Sequence, residues 1–250
     1  VDLTHPANAL HDTGQPEPRK SSAANDGAFG LALLLAGLAG WVDAAGIAGS
    51  GGVFLSFMSG NTTDLAASLV RHDWSQVAVI STVLCLFVAG VLIGELLEPL
   101  GGRFARSLIL GAEAVLLALG AVLQWKGLAV PAAAAPFKPC PLVFAMGLQN
   151  ASMHRAGGIS IGLTYVTGTL VQIGRALADI LRGPGEKGAE DEGSSGGRRL
   201  AKYAALWLSL AFGAVLGAAA LSLSPFAGLL AAAGIALGLA AATAVTRAGL

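Results

Sequence analysis

Gly40-Trp41-Val42-Asp43-Ala44 and Gly147-Leu148-Gln149-Asn150-Ala151 are two versions of one phrase. A second pair follows them. Ser56-Phe57-Met58-Ser59-Gly60 is echoed by Thr164-Tyr165-Val166-Thr167-Gly168. The copies lie 107 and 108 residues apart, each in strongly apolar sequence. Doubled hydrophobic halves with small and polar residues at matching places are a design of membrane transporters. The doubling predicts an all-α, polytopic membrane helix bundle of two homologous halves, with six to eight hydrophobic helices.

Composition names the solvent. The 250 residues are 54% hydrophobic and only 12% charged, with a mean hydropathy of +0.70. Soluble domains carry about 25% charged residues, so a lipid bilayer is the expected partner. Fifteen basic residues balance fifteen acidic ones, which leaves no basic footprint for nucleic acid. The 35 glycines let helices approach closely in lipid, where no hydrophobic force draws them together. Cys85 sits in an apolar run and Cys140 lies between Pro139 and Pro141; both read as free thiols. His5, His11, His72 and His154 are scattered, so no metal or other cofactor is expected. The polar opening of the chain holds no signal-peptide core.

Residues 1–27 read as a disordered cytoplasmic tail. Residues 28–125 form the first membrane repeat, with apolar segments at 28–48, 53–70, 76–97 and 107–125. Residues 126–139, with Pro131, Pro136 and Pro139, are the hinge. Residues 140–246 form the second repeat, with segments at 140–153, 159–181, 202–222 and 225–246. A flexible cytoplasmic loop is expected at 183–199. The last two segments meet the roughly 20 apolar residues a crossing needs.

The number of crossings is left open. If all eight segments cross, the repeats are parallel; if the second and sixth only enter and return, six cross and the repeats are inverted. The positive-inside rule puts both termini and the 183–199 loop in the cytoplasm in either case. It differs only in the side given to Arg71, Lys126 and Lys138 against Arg103, Arg106 and Arg155. All eight segments are expected to be helical, because backbone groups at membrane depth must be satisfied internally.

The second and sixth segments carry the polar residues. Ser56 matches Thr164, Ser59 matches Thr167, Gly60 matches Gly168, Asn61 matches Thr169 and Asp64 matches Gln172. Positions 56, 60 and 64 share a helix face, as do 164, 168 and 172. The functional reading is a pair of helices lining a solute site; the plainer one is hydrogen bonding that glues the bundle. Asp64 and Glu113 are the candidate coupling or gating acids, since an acid at the centre of a membrane helix costs about 2.5–3.5 kcal/mol. The plainer readings put Asp64 near interfacial water and give Glu113 a structural polar partner. Arg175 precedes Asp179 by four residues, a spacing for an in-helix ion pair. Arg175 is also a candidate to neutralise Asp64 across the repeat axis. Asp43 and Asn150 are an equivalent pair that either caps the following helix or binds a ligand. Gly90 with Gly94, and Gly213 with Gly217, predict tight helix crossings. Asn61-Thr62-Thr63 and Asn150-Ala151-Ser152 match a glycosylation pattern at membrane depth, by chance.

Together these motifs resemble the YoaK family, bacterial and fungal membrane proteins grouped as domain of unknown function 1275. The likeness rests on residues 40–44, 54–61, 147–151 and 164–169, and covers roughly 28–245. The family usually has Thr-Gly-Asn where this chain has Ser59-Gly60-Asn61, which keeps the hydroxyl. The resemblance implies a polytopic protein of the cytoplasmic membrane and supplies no reaction.

The leading expectation is a permease for a small solute, with contacts from Ser59, Asn61, Thr167 and Thr169. A homo-oligomer is compatible with it. A non-catalytic scaffold is the alternative. A membrane enzyme acting on a lipid-soluble substrate ranks last, because no nucleophile–base pair, metal motif or nucleotide-binding loop is present.

Overall fold

The computed structural model describes residues 22–49, 52–125, 137–152, 155–156, 159–160, 166–182 and 196–248. Those residues form an all-α bundle. The helices are Ser22–Gly49 (α1), Met58–Val70 (α2), Trp74–Gly101 (α3), Ala105–Gln124 (α4), Cys140–Ala151 (α5), Val166–Arg182 (α6), Gly196–Leu223 (α7) and Pro225–Ala248 (α8). A 3-10 turn, Gly102–Phe104, joins α3 to α4, and Arg155–Ala156 pairs antiparallel with Ile159–Ser160. Several expected boundaries move: residues 53–57, expected in the second helix, precede α2, and residues 159–160, expected in the sixth, pair as a strand. Residues 22–27, placed in the tail, begin α1, and residues 196–199, placed in the flexible loop, begin α7. Residues 1–21, 126–136 and 183–195 lie outside the described residues.

Local chemistry sets the ends. The Asp73 side chain accepts from Gln76 N at 3.1 Å and starts α3, the usual service of an N-cap. Gly102, at φ 50°, ends α3 in a backbone conformation that costs glycine little. Pro225 opens α8 at the position where its missing N–H costs nothing, and Ser224 Oγ accepts from Ala227 N at 3.2 Å.

Four stretches are long and apolar enough to cross a membrane: Asp26–Ile47, Trp74–Gln124, Gly196–Leu223 and Pro225–Thr246. The second of them holds two helices, α3 and α4.

Close contacts fix how the helices run. Gly37 meets Ser209 and Gly213, and Trp41 meets Gly217, so α1 and α7 are parallel. Gly90 meets Phe144 and Gly147, and Gly94 meets Leu148 and Ala151, so α3 and α5 are parallel. Gly120 packs on Leu142 while Arg106 Nε donates to Ser152 O at 3.3 Å, so α4 and α5 are antiparallel. Ser107 and Thr243 share a hydroxyl hydrogen bond of 2.9 Å, and the Trp125 and Phe226 rings lie 6.1 Å apart, so α4 and α8 are antiparallel. The pairs of glycines expected to make tight crossings do so in both seams.

These directions form one consistent set. Taking α1 as upward, α4 and α7 also run up, and α3, α5 and α8 run down. Along the bundle these six helices alternate in direction, and both ends of the described helical region lie on the same face. Because α1 runs up and α3 down, α2 returns the chain to the side it came from. The same holds for α6 between α5 and α7.

Candidate functional site

The short helix α2 enters from the upper face. After α1 the chain turns back along it: Gly46 faces Val53 O, and the Asp43 carboxylate accepts from Leu55 N at 3.0 Å and Ser56 N at 2.7 Å. Ser56 Oγ donates to the second oxygen of Asp43. The Asn61 amide closes the same loop, accepting from Phe54 N at 3.0 Å and donating to Phe54 O at 2.7 Å. Buried backbone groups outside a helix need partners, and Asp43 and Asn61 supply them. Asp43, Ser56 and Asn61 are all buried. Asp43 does not cap α2, whose N-cap has no side-chain hydrogen bond; it holds the loop that leads into that helix. Its counterpart Asn150 donates to Met146 O at 2.8 Å within α5.

Among the described residues the two polar stripes lie on separate seams. Helix α2 packs on α3, and α6 packs on α7. Ser56 precedes α2 rather than sharing its face, and Thr164 lies outside the described residues. Ser59 and Thr167 are exposed, while Gly60, Gly168, Thr169 and Gln172 are half-buried. A Cβ at Gly60 would lie 3.0 Å from the Phe54 ring, so this glycine fits α2 against its own loop.

The charges also find other partners than expected. Asp64 lies 3.3 Å from Arg71 and its side chain is 44% exposed. Gln76 Nε2 adds a hydrogen bond of 3.4 Å. Asp64 thus sits at the upper surface beside Arg71, not across an axis from Arg175. Asp179 pairs with Arg199 at 3.5 Å, in place of the in-helix pair with Arg175. Arg175 itself is exposed. The plainer reading of Asp64, near the end of its segment, agrees with its place beside Arg71, whereas the partner of Asp179 is set by where the chain brings α7 against α6.

Glu113 behaves differently. It is fully buried at the middle of α4, and neither carboxyl oxygen has a hydrogen-bond partner among the described residues. Gln149 on α5 is also fully buried. Its Nε2 donates to Leu35 O at 2.7 Å, and its Oε1 has no partner among the described residues. The register of α4 on α5, from Gly120 against Leu142 to Arg106 against Ser152, brings Glu113 and Gln149 to neighbouring levels. Leu35 and Leu110, beside these two polar residues, belong to one core cluster. Leu35 is near the middle of the 26–47 stretch, so the polar pair sits at mid-depth. Gln149 was not among the expected site residues. The one hint was that the second copy of the opening phrase is the more polar.

A cleft of about 50 Å³ opens near the lower end of α4, lined by residues including Glu98, Arg106 and Ser152. It lies roughly two helical turns below Glu113.

The arrangement defines a polytopic α-helical membrane protein with an acid enclosed at its centre. The chain belongs to the family described as "Protein of unknown function (DUF1275)", whose model matches residues 31–242. It is similar to the UPF0700 transmembrane protein RA0705 of Rhizobium meliloti (strain 1021), at 38% identity over 154 residues. That match covers 59% of this chain and spans 61% of the relative's length. No solved structure matches the chain.

Proposed function

We propose that this protein is a permease that carries a small solute across the cytoplasmic membrane. The observation that carries the reading is the opposed direction of two helix triplets. Helices α1, α3 and α4 run up, down and up; α5, α7 and α8 run down, up and down. Inverted sets of this kind let one half rock against the other around a central site. The seams support the same view. Gly37 and Trp41 meet Gly213 and Gly217 as Phe144 and Leu148 meet Gly90 and Gly94. The solute path is placed beside α4 and α8, where Glu113 lies, rather than between α2 and α6. The doubling of the sequence is read as an ancestral duplication.

The lower face is read as cytoplasmic. Arg103, Arg106, Arg182, Arg198, Arg199 and Lys202 lie at the lower ends of their helices, against Arg71 and Lys138 at the upper ends. Excess Lys and Arg mark cytoplasmic loops. Both ends of the helical region then face the cytoplasm. No catalysis is assigned.

The test is flux in liposomes. In a chain with Cys85 and Cys140 replaced by Ala, Ser107→Cys and Thr243→Cys allow a disulfide between α4 and α8. With a panel of labelled amino acids, sugars and organic acids, at least one solute is expected to move faster than through protein-free vesicles. That flux is expected to stop on oxidation and return on reduction. Folded protein that moves nothing in either direction, or flux indifferent to the cross-link, overturns the reading. The first result favours a scaffold.

A further inference from the structure

We propose that Glu113 and Gln149 form an intramembrane proton site, with the exchangeable proton on the Glu113 carboxyl and Gln149 Oε1 as its neighbouring acceptor. The inference deepens the permease reading and rests on it for its purpose, since a site of this kind couples solute movement to a proton gradient.

Hydrogen-bond capacity distinguishes the two forms of the acid. A carboxylate only accepts, while a carboxylic acid also donates one O–H. The orientation of the Gln149 amide is fixed, because Leu35 O can only accept and therefore takes the Nε2–H. The oxygen left over, Oε1, is another acceptor. Three buried oxygens on adjoining helices thus stand with no donor among the described residues. An unpaired charge at mid-membrane costs several kcal/mol. One proton on Glu113 removes the charge and supplies the missing donor.

The surroundings select a proton over a metal cation. Helices α8, α5 and α3 and the 102–104 turn pack on α4. Helix α8 has no charged residue among its described side chains. Helix α5 has only Cys140, at its upper end, as an ionisable group. From α3 come Cys85, which is exposed, and Glu95 and Glu98, and from the turn Arg103, the last three at the lower end of the bundle. Arg106 lies two turns below Glu113 on α4 and donates to Ser152 O. Asp43 of α1, two turns above the Leu35 contact, is occupied by Leu55 and Ser56. Leu110 and Leu117, about one turn to either side of Glu113 on α4, and Ala233 and Ala236 on α8 are buried apolar residues. A sodium ion would need several more oxygens than Glu113 and Gln149 provide.

Binding and release are simple exchanges. Protonated Glu113 gives its proton to water when one side opens, leaving a carboxylate, and takes one from water when the other side opens. Enclosure between those events requires the neutral form.

Infrared spectra of the full-length protein in liposomes test this without knowledge of the solute. A protonated-carboxyl C=O band is expected at neutral pH in potassium buffer. It should disappear in Glu113→Gln and move to higher frequency in Gln149→Leu, which removes the acceptor. Absence of the band from the unaltered protein overturns the proposal, as does a band that survives Glu113→Gln. Loss of the band when sodium replaces potassium at constant pH also overturns it, in favour of a sodium site. Should Glu113→Gln fail to fold, labelling of the unaltered chain with a hydrophobic carbodiimide decides the matter. Modification located at Glu113 by mass spectrometry, and reduced in alkaline buffer, is the expected result; no modification there overturns the proposal. The spectra and the flux assay fail independently, so a lost proton site is distinguishable from a lost permease.

Discussion

Replacing Gly217 by Ala puts one methyl group into the seam between α7 and α1. The new Cβ would stand 2.6 Å from both Trp41 Cα and Trp41 O, and 2.9 Å from Trp41 Cγ. Ordinary contact begins at 3.4 Å, so the two helices must part by about 0.8 Å at this level. Two of the obstructing atoms are backbone, and no rotamer change relieves them. Overpacking of this kind costs about 1–3 kcal/mol. At about 2–4 °C per kcal/mol for a chain of this size, the unfolding midpoint in detergent should fall by about 2–12 °C. Gly238→Ala on α8 is the internal control, because nothing lies within 4 Å of its Cβ position. There the same chemical change replaces a poor helix former and should gain about 1 kcal/mol. The two variants are expected to move the midpoint in opposite directions, as read by tryptophan fluorescence or by aggregation on heating. A neutral or stabilising Gly217→Ala would refute the close α1–α7 approach, and with it the parallel direction assigned to those helices. Gly94→Ala should show the same sign as Gly217→Ala and a similar size, because its nearest obstacle, Ala151 Cβ at 2.5 Å, is fixed to the α5 backbone and has no rotamer to relieve it.

Asp43→Ala should strip partners from two buried N–H groups and cost about 2–6 kcal/mol at about 1–3 each, whereas Asp43→Asn keeps an acceptor and should cost less; protease cleavage within 50–57 reads the difference. Asn61→Leu should expose the same loop to protease, by removing both bonds to Phe54. Asp64→Asn should change stability by less than about 1 kcal/mol, the usual worth of an exposed ion pair, as measured by the unfolding midpoint. A double-mutant cycle of Asp64 with Arg175 should give no coupling; a clear coupling would return Asp64 to a central role.

Much of the fold was legible because lipid imposes few choices. A run such as 225–246 has to be helical, and the Gly90–Gly94 and Gly213–Gly217 pairs have to mark close crossings. The number of crossings was not legible. Positive charges distinguish the faces, but they cannot tell whether a short polar segment such as 53–70 crosses or returns. That depended on the turn at 52–57, whose direction is fixed by Asp43 and Asn61 binding the backbone of Leu55, Ser56 and Phe54. The motif residues were visible, but their partner was the chain itself rather than a ligand. Glu113 was legible as an anomaly, a lone acid in an apolar run. Gln149 was not, because its importance comes from the α4–α5 register, and register leaves no local mark.

The departure from symmetry points to the centre more sharply than the symmetry does. A two-fold axis in the membrane plane would exchange the α1–α7 seam with the α5–α3 seam and place α4 antiparallel to α8, as observed. Applied to α4, the 123-residue offset that relates Gly90 to Gly213 carries Glu113 onto Ala236. Ala236 is fully buried, as Glu113 is. One half therefore offers an acid where the other offers a methyl group. A packing role would be met equally well by two small residues, and at lower cost, since alanine buries no polar atom. On the permease reading proposed above, an acid at one of two matching places, with a glutamine oxygen at the neighbouring level, would serve as a single titrating centre between two halves. Moving the acid across is a further test: Glu113→Ala with Ala236→Glu should give a protonated-carboxyl band at higher frequency than in the unaltered protein, because the moved acid loses Gln149 on α5 as its acceptor, and a band at unchanged frequency would remove Gln149 from the site.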